Sequence, residues 1–187
     1  MSDNMFRWDK DADNVVTLTM DDPDANANTL NDTFVNSLEA TLDRLEAEKD
    51  DIAGVIVTSA KKTFFAGADL NLIIQATAAD VPRLEAESAR LKGYFRRLET
   101  LGKPVAAAIN GAALGGGLEI ALACHYRVAL DAKGSEIGLP EVTLGLLPGA
   151  GGVVRTTRMF GLQKALMDVL LQGQRRKPAA AKDVGLV

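Results

Sequence analysis

Ala112-Ala113-Leu114-Gly115-Gly116-Gly117-Leu118-Glu119 is the stretch whose reading decides the fold. It follows an apolar run, residues 105–109, and leads into another, residues 120–124. A strand, a glycine turn and a helix is the simplest assignment. Three consecutive glycines are costly unless the backbone needs unusual dihedrals or must approach a ligand closely. A helix start offers unpartnered N–H groups and the positive end of the helix dipole, which favour developing negative charge. Glu119 sits in the otherwise apolar first turns of that helix, where burial opposes its charge and calls for a reason.

Working outward, 187 residues that are 47% hydrophobic suffice for one domain with a sizeable core. Lys and Arg number 21 against 25 Asp and Glu, a net charge of −4, and no basic stripe carries interleaved aromatics. No nucleic-acid partner is therefore expected. One cysteine, Cys124, excludes an internal disulfide framework and points to a reducing compartment. The polar start Met1-Ser2-Asp3-Asn4 has no signal-peptide core, and no run approaches the ~18 apolar residues of a membrane span. The expectation is a soluble, cytoplasmic protein.

Residues 5–8 and 15–20 read as short strands joined by an Asp/Asn-rich turn. A helix capped by Asn31 or Asp32 runs to about Lys49, with Phe34, Val35, Leu38, Leu42 and Leu45 recurring on one face. Residues 52–58 form a buried, β-branched strand. A tight loop over 63–69 and a short helix over 70–76 follow. Residues 80–101 form a long helix that tolerates Pro82 in its first turn. Strands are expected at 105–109, 126–130 and 135–138, and helices at 119–124, 153–160 and 162–171, with another beginning after Pro178. Alternating strands and helices make the class α/β, and no repeat or linker divides the chain.

Several familiar motifs fail. Gly115-Gly116-Gly117-Leu118-Glu119-Ile120 is not a dinucleotide fingerprint, and no Lys-Ser/Thr pair follows a glycine cluster. There is no G-x-S-x-G elbow. His125 is the only histidine, so a histidine metal site or Ser-His triad lacks material; His125 and Cys124 read as structural. Three loops remain: Phe64-Phe65-Ala66-Gly67-Ala68-Asp69-Leu70, then Asn110 to Glu119, then Ile137 to Gly152, the last with Pro140-Glu141 and Leu147-Pro148-Gly149-Ala150-Gly151-Gly152. Each alone reads as turn glycines, a helix cap or a strand end. Their order and wording together are specific.

On these three segments the chain resembles the enoyl-CoA hydratase/isomerase (crotonase) family, from about Val15 to the last residue, and within it the hydratase region that opens the multifunctional fatty-acid oxidation α subunits. The resemblance implies a crotonase-like fold of repeated β-β-α units, one domain over residues 1–187, and hydration of the 2,3 double bond of a 2-enoyl-CoA. Positions matching Ala68 and Gly116 would supply oxyanion N–H donors; those matching Glu119 and Glu141 would activate water and protonate Cα. Coenzyme A would run along Ala66, Gly67, Ala68, Asp69 and Leu70, with Gly115, Pro140 and Gly149 nearby. Lys61 and Lys62 are candidates for its phosphates, and Leu72, Ile73, Ile74 and Val81 for the acyl pocket. No metal or permanently bound cofactor is implied; the coenzyme A thioester is the substrate. The family pattern continues where this chain stops. That implies missing C-terminal helices and association as a trimer or hexamer, or with fatty-acid oxidation complex subunits. Alternatives are a Δ3,Δ2-enoyl-CoA isomerase using Glu141 alone, and a module that binds acyl-CoA without turnover.

Overall fold

Val16, Leu18 and Met20 alternate with Val15, Thr17 and Thr19, so one face of β2 (Val15–Met20) is buried. In the computed structural model, which describes residues 4–68 and 75–187, β2 pairs antiparallel with β1 (Phe6–Lys10) and parallel with β3 (Gly54–Ser59). β4 (Val105–Ile109) continues the parallel sheet. After it come β5 (Ala113–Leu114), β6 (Tyr126–Ala129) and β7 (Ile137–Gly138). β6 joins β4 to close a five-stranded sheet, ordered β1-β2-β3-β4-β6.

Helices cover one face. α1 (Asp32–Ala47) is capped by Asn31, whose side chain accepts from the Phe34 N–H at 2.8 Å, and it buries Phe34, Leu38, Leu42 and Leu45. The Phe34 ring lies 5.7 Å from that of Phe6 and 4.8 Å from that of Phe65, which ties the helix to sheet and loop. α2 (Val81–Glu99) starts with Pro82 and buries Leu91, Tyr94, Phe95 and Leu98. α3 (Gly116–Ala123) is buried on every side, so its sequence shows no amphipathic stripe. α4 (Gly152–Phe160) packs on α3. α5 (Leu162–Lys164) passes into a π-helical segment, Ala165–Leu170, and α6 (Pro178–Val184) ends at Gly185. The order is thus a repeating β-β-α: β1-β2-α1, β4-β5-α3 and β6-β7-α4, with β3 followed, among the described residues, by the bridged residues Phe65 and Ala68, a 3₁₀ turn (Ala78–Asp80) and α2.

A second ladder crosses the ends of this sheet. β5 pairs with β7, Phe65 bridges to Ala113, Leu30 to Ala68, and Ile137 to Arg176. It gathers the three glycine- and proline-bearing loops at one place. Sequence periodicity could not show it, because its strands are one or two residues long. Other elements differ from expectation at their margins: the 162–171 helix changes from α to π at Ala165, and a 3₁₀ turn, Glu141–Leu144, follows Pro140. The short helix expected over 70–76 falls largely outside the described residues, as do Asp69, Leu70, Leu72, Ile73 and Ile74.

His125 and Cys124 are structural, as expected. The Val105 N–H donates to His125 Nδ1 at 3.0 Å, and Nε2 lies 3.1 Å from the Glu99 carbonyl, which joins β4 to the end of α2. Burial pushes the Cys124 thiol up to about 12, so it stays neutral. Among the described residues no helix is long and apolar enough to cross a membrane, and no cluster of His, Cys, Asp and Glu could hold a metal ion. Leu162, Met167 and Leu171 are more than half exposed along the C-terminal helices.

Candidate active site

The crossing ladder ends at a cavity of about 350 Å³. Its wall includes Ala66, Gly67, Ala68, Gly115, Gly116, Glu119, Pro140, Glu141 and Gly149. Every described residue expected to act as a catalytic acid, to donate to the oxyanion or to lie along the coenzyme A segment is therefore at this one cavity. Asp69 and Leu70 lie outside the described residues, and Val81 is not in its lining.

Glycines make the close approach. An ideal Cβ on Gly116 would meet Leu30 Cδ1 at 2.7 Å and Gly67 Cα at 3.7 Å, so α3 begins against the Ala66–Ala68 segment. Gly115 takes φ 55° and leaves room for Glu141, whose Oε1 would lie 3.0 Å from a Cβ there. The Gly115 N–H donates to the Gly138 carbonyl at 3.0 Å, which fixes the turn to β7. The Ala68 bridge to Leu30 runs through its neighbours, with the Leu30 N–H donating to the Gly67 carbonyl at 3.0 Å. In this parallel bridge it is Leu30 whose own N–H makes the bond, to the neighbour of Ala68, so the Ala68 N–H is not directed at Leu30. The Ala68 and Gly116 N–H groups have no acceptor among the described residues.

Glu119 is 2% exposed. Its Oε1 accepts the Ala150 N–H at 2.8 Å and the Gly152 N–H at 2.7 Å, which places the carboxylate at the start of α4. The sequence offers a simpler account of Glu119, an acid easing the dipole of its own helix. The structure shows instead that it serves the next helix. Burial raises its pKa; the Gly152 and Ala150 N–H groups, then Arg155 and Lys92, oppose the rise. Its Oε2 has no protein partner among the described residues. Glu141 opens the 3₁₀ turn after Pro140, and its Oε2 is buried without a hydrogen-bond partner. Burial pushes the Glu141 carboxyl up to about 7; its own backbone N–H opposes this, and the Glu119 charge adds to it. Burial thus raises both carboxyls, and the two line one shared cavity.

A sequence profile of the enoyl-CoA hydratase/isomerase family matches residues 10–187. The chain belongs to that family. Among curated relatives of this hydratase/isomerase chain, the fatty acid oxidation complex subunit alpha of Aliivibrio fischeri is 42% identical over 185 residues, covering 97% of the chain and 26% of the relative. The subunit of the same name from Idiomarina loihiensis is 43% identical over 188 residues, 99% of the chain and 26% of the relative. The chain thus spans about a quarter of the length of these relatives. Among solved structures, an enoyl-CoA hydratase from Bacillus anthracis superposes with a TM-score of 0.85 at 33% identity, covering 98% of this chain and 69% of that one. One from Geobacillus kaustophilus reaches 0.87 at 30%, covering all of this chain and 68% of that one. The crotonase-like fold expected of the family member is thus the fold it has.

Lys61, a candidate phosphate contact, has its ammonium 2.8 Å from Asp21 Oδ1 and 2.6 Å from the Asp22 carbonyl; Lys62 stays exposed in the turn, and neither lines the cavity. Sequence reasoning missed residues. Leu30, Ser88, Leu91 and Arg175 line the cavity from elements that carry no motif. Arg155, one turn into α4, is 9% exposed and reaches back to the Ala150 carbonyl. Only tertiary contacts distinguish it from an ordinary helix arginine.

Proposed function

We propose that this chain, as one crotonase domain over residues 1–187, is an enoyl-CoA hydratase. It adds water across the 2,3 double bond of a 2-enoyl-CoA to give 3-hydroxyacyl-CoA. The supporting observation is the pair Glu119 and Glu141 facing one cavity beside two N–H groups that have no acceptor among the described residues. Glu119 Oε2 takes a proton from water as the water oxygen bonds to Cβ. Electrons of the double bond move toward the thioester carbonyl, and the Ala68 and Gly116 N–H groups stabilise the enolate oxygen; losing one such donor costs ~3–4 kcal/mol. Glu141 gives its proton to Cα, and the two carboxyls return to their starting states by exchange with solvent. Coenzyme A runs along the Ala66–Ala68 segment through backbone groups. We assign the reaction to fatty-acid oxidation, with the chain acting beside the other parts of a multifunctional α subunit.

An isomerase needs one proton shuttle, and Glu141 alone would serve. A buried Glu119 whose Oε1 is held by two N–H groups, with no partner for Oε2 among the described residues, favours hydration. The deciding experiment incubates the protein with crotonyl-CoA and follows the conjugated thioester absorbance together with the product. Appearance of 3-hydroxybutyryl-CoA supports the hydratase. Saturable binding without turnover would overturn it, as would shifting the double bond of a 3-enoyl-CoA without hydrating crotonyl-CoA.

A further inference from the structure

Arg155 is buried beyond what a helix arginine needs, and the hydratase reading gives it no role. Its Nη1 donates to the Ala150 carbonyl at 3.2 Å, and its Nη2 lies 3.4 Å from Glu99 Oε2. Gly151, at φ 109°, makes the space: an ideal Cβ there would lie 2.2 Å from Arg155 Nη1. A side chain at 151 would push the guanidinium from this position. On the other side of the same residue, the Ala150 N–H donates to Glu119 Oε1, and the Gly152 N–H meets the same oxygen. Ala150 is thus held between an arginine at its carbonyl and the carboxylate at its N–H. One residue earlier, Ser88 Oγ of α2 donates to the Gly149 carbonyl at 2.9 Å. Ser88 thus holds the peptide that carries the Ala150 N–H, and Arg155 holds the next peptide, which lies between the Ala150 and Gly152 donors.

We infer that Arg155 is a positioning residue for Glu119: it clamps the Ala150 carbonyl so that the loop's N–H groups fix Oε1 and leave only Oε2 to face water. The inference rests on the hydratase reading for its role in turnover, but the clamp itself can be tested without turnover. Its charge acts in the same direction as its geometry. Glu99 lies at 3.4 Å and Arg155 Nε is buried without an acceptor, so the guanidinium is only partly neutralised. The other charged groups in the neighbourhood are Lys92, Arg96 and Glu99 from α2 and Arg158 from α4, which share its cleft. Glu141, which lines the same cavity, feels the Glu119 charge. Cys124 feels the Arg155 charge but remains a neutral thiol.

The test compares R155M, R155K and E99Q with the wild type, all checked for folding by circular dichroism. Glu119 is titrated by 13C NMR of the labelled carboxyl, and kcat and KM for crotonyl-CoA are measured across pH. R155M should titrate Glu119 at higher pH than the wild type and lower kcat about tenfold while leaving KM in place. R155K keeps a charge but not the two-ended fork, so it should restore the titration more than kcat. E99Q removes the neutralising carboxylate and should move Glu119 the opposite way, to lower pH. If R155M fails to fold, the E99Q titration still decides. Unchanged Glu119 titration in the folded variants, or E99Q moving it upward, would overturn the inference. A wild type that never hydrates crotonyl-CoA would sink the hydratase reading instead and leave the NMR result standing by itself.

Discussion

Replacing Gly117 with alanine separates stability from catalysis. An ideal Cβ at 117 would sit 2.5 Å from the Phe65 carbonyl oxygen and 3.0 Å from Phe65 Cβ, both parts of one residue that is locked to Ala113 by a bridge. Ordinary contact starts at 3.4 Å, so the backbones must part by 3.4 − 2.5 = 0.9 Å along that line. Overpacking of this kind costs ~1–3 kcal/mol. Alanine in a helix returns ~1 kcal/mol relative to glycine. The net loss of stability should therefore be about 0–2 kcal/mol, and the domain stays folded. The catalytic loss should be larger. Gly116 opens the same helix, and Ala68 ends the segment that Phe65 begins, so widening this contact separates the two N–H groups at the cavity. A misplacement near 1 Å can cost ~10²-fold in rate. Urea unfolding gives the first number, and crotonyl-CoA hydration gives the second. A variant that turns over at the wild-type rate, or one that unfolds outright, would refute this account of how the glycines place the donors.

E119Q and E141Q should each keep the fold and acyl-CoA affinity and lower kcat by at least ~10²-fold, read by steady-state hydration and by isothermal titration with a saturated acyl-CoA; near wild-type turnover in either variant removes its assigned role. The pH profile follows from the raised Glu141 carboxyl. As the proton donor it must be protonated, so kcat/KM for hydration should fall as pH rises through about 7. Because its folded pKa lies above the unfolded value of 4.5, its contribution to stability is full below 4.5 and is lost as pH climbs to about 7; E141Q should flatten that part of a denaturation-versus-pH series. In the core, Phe34→Ala empties a fully buried ring position between Phe6 and Phe65 and should cost ~3–5 kcal/mol in urea unfolding.

What the sequence revealed depended on the range of the physics involved. The periodic burial of Phe34, Leu38, Leu42 and Leu45 is local, and α1 was legible from it to within two residues at its far end. The same holds for β2 and β4, whose bounds are those expected. The Gly115-Gly116-Gly117 run was legible because glycine clusters need a backbone cause. β5 was not. Two residues carry no period, and Ala113 and Leu114 become a strand only because Ile137 and Gly138 arrive beside them. Arg155 shows the same limit: an arginine in a helix reads as a solvated face until Ala150 is known to lie against it. Lys61 shows it too, since nothing local in the turn places its ammonium beside Asp21.

The ribbon formed by β5 and β7 acts as a ruler. Leu114 pairs with Gly138, and the next backbone link is Gly115 to Gly138; Glu119 follows one strand by five residues and Glu141 follows the other by three. The separation of the two acids is thus set by main-chain pairing, not by the side chains that fill the cavity. Residues such as Leu144 and Leu147, on the cavity wall but outside the ribbon, can change in size without altering that separation. A scaffold of this kind can be retailored to acyl groups of different bulk while the distance over which the protons travel stays the same.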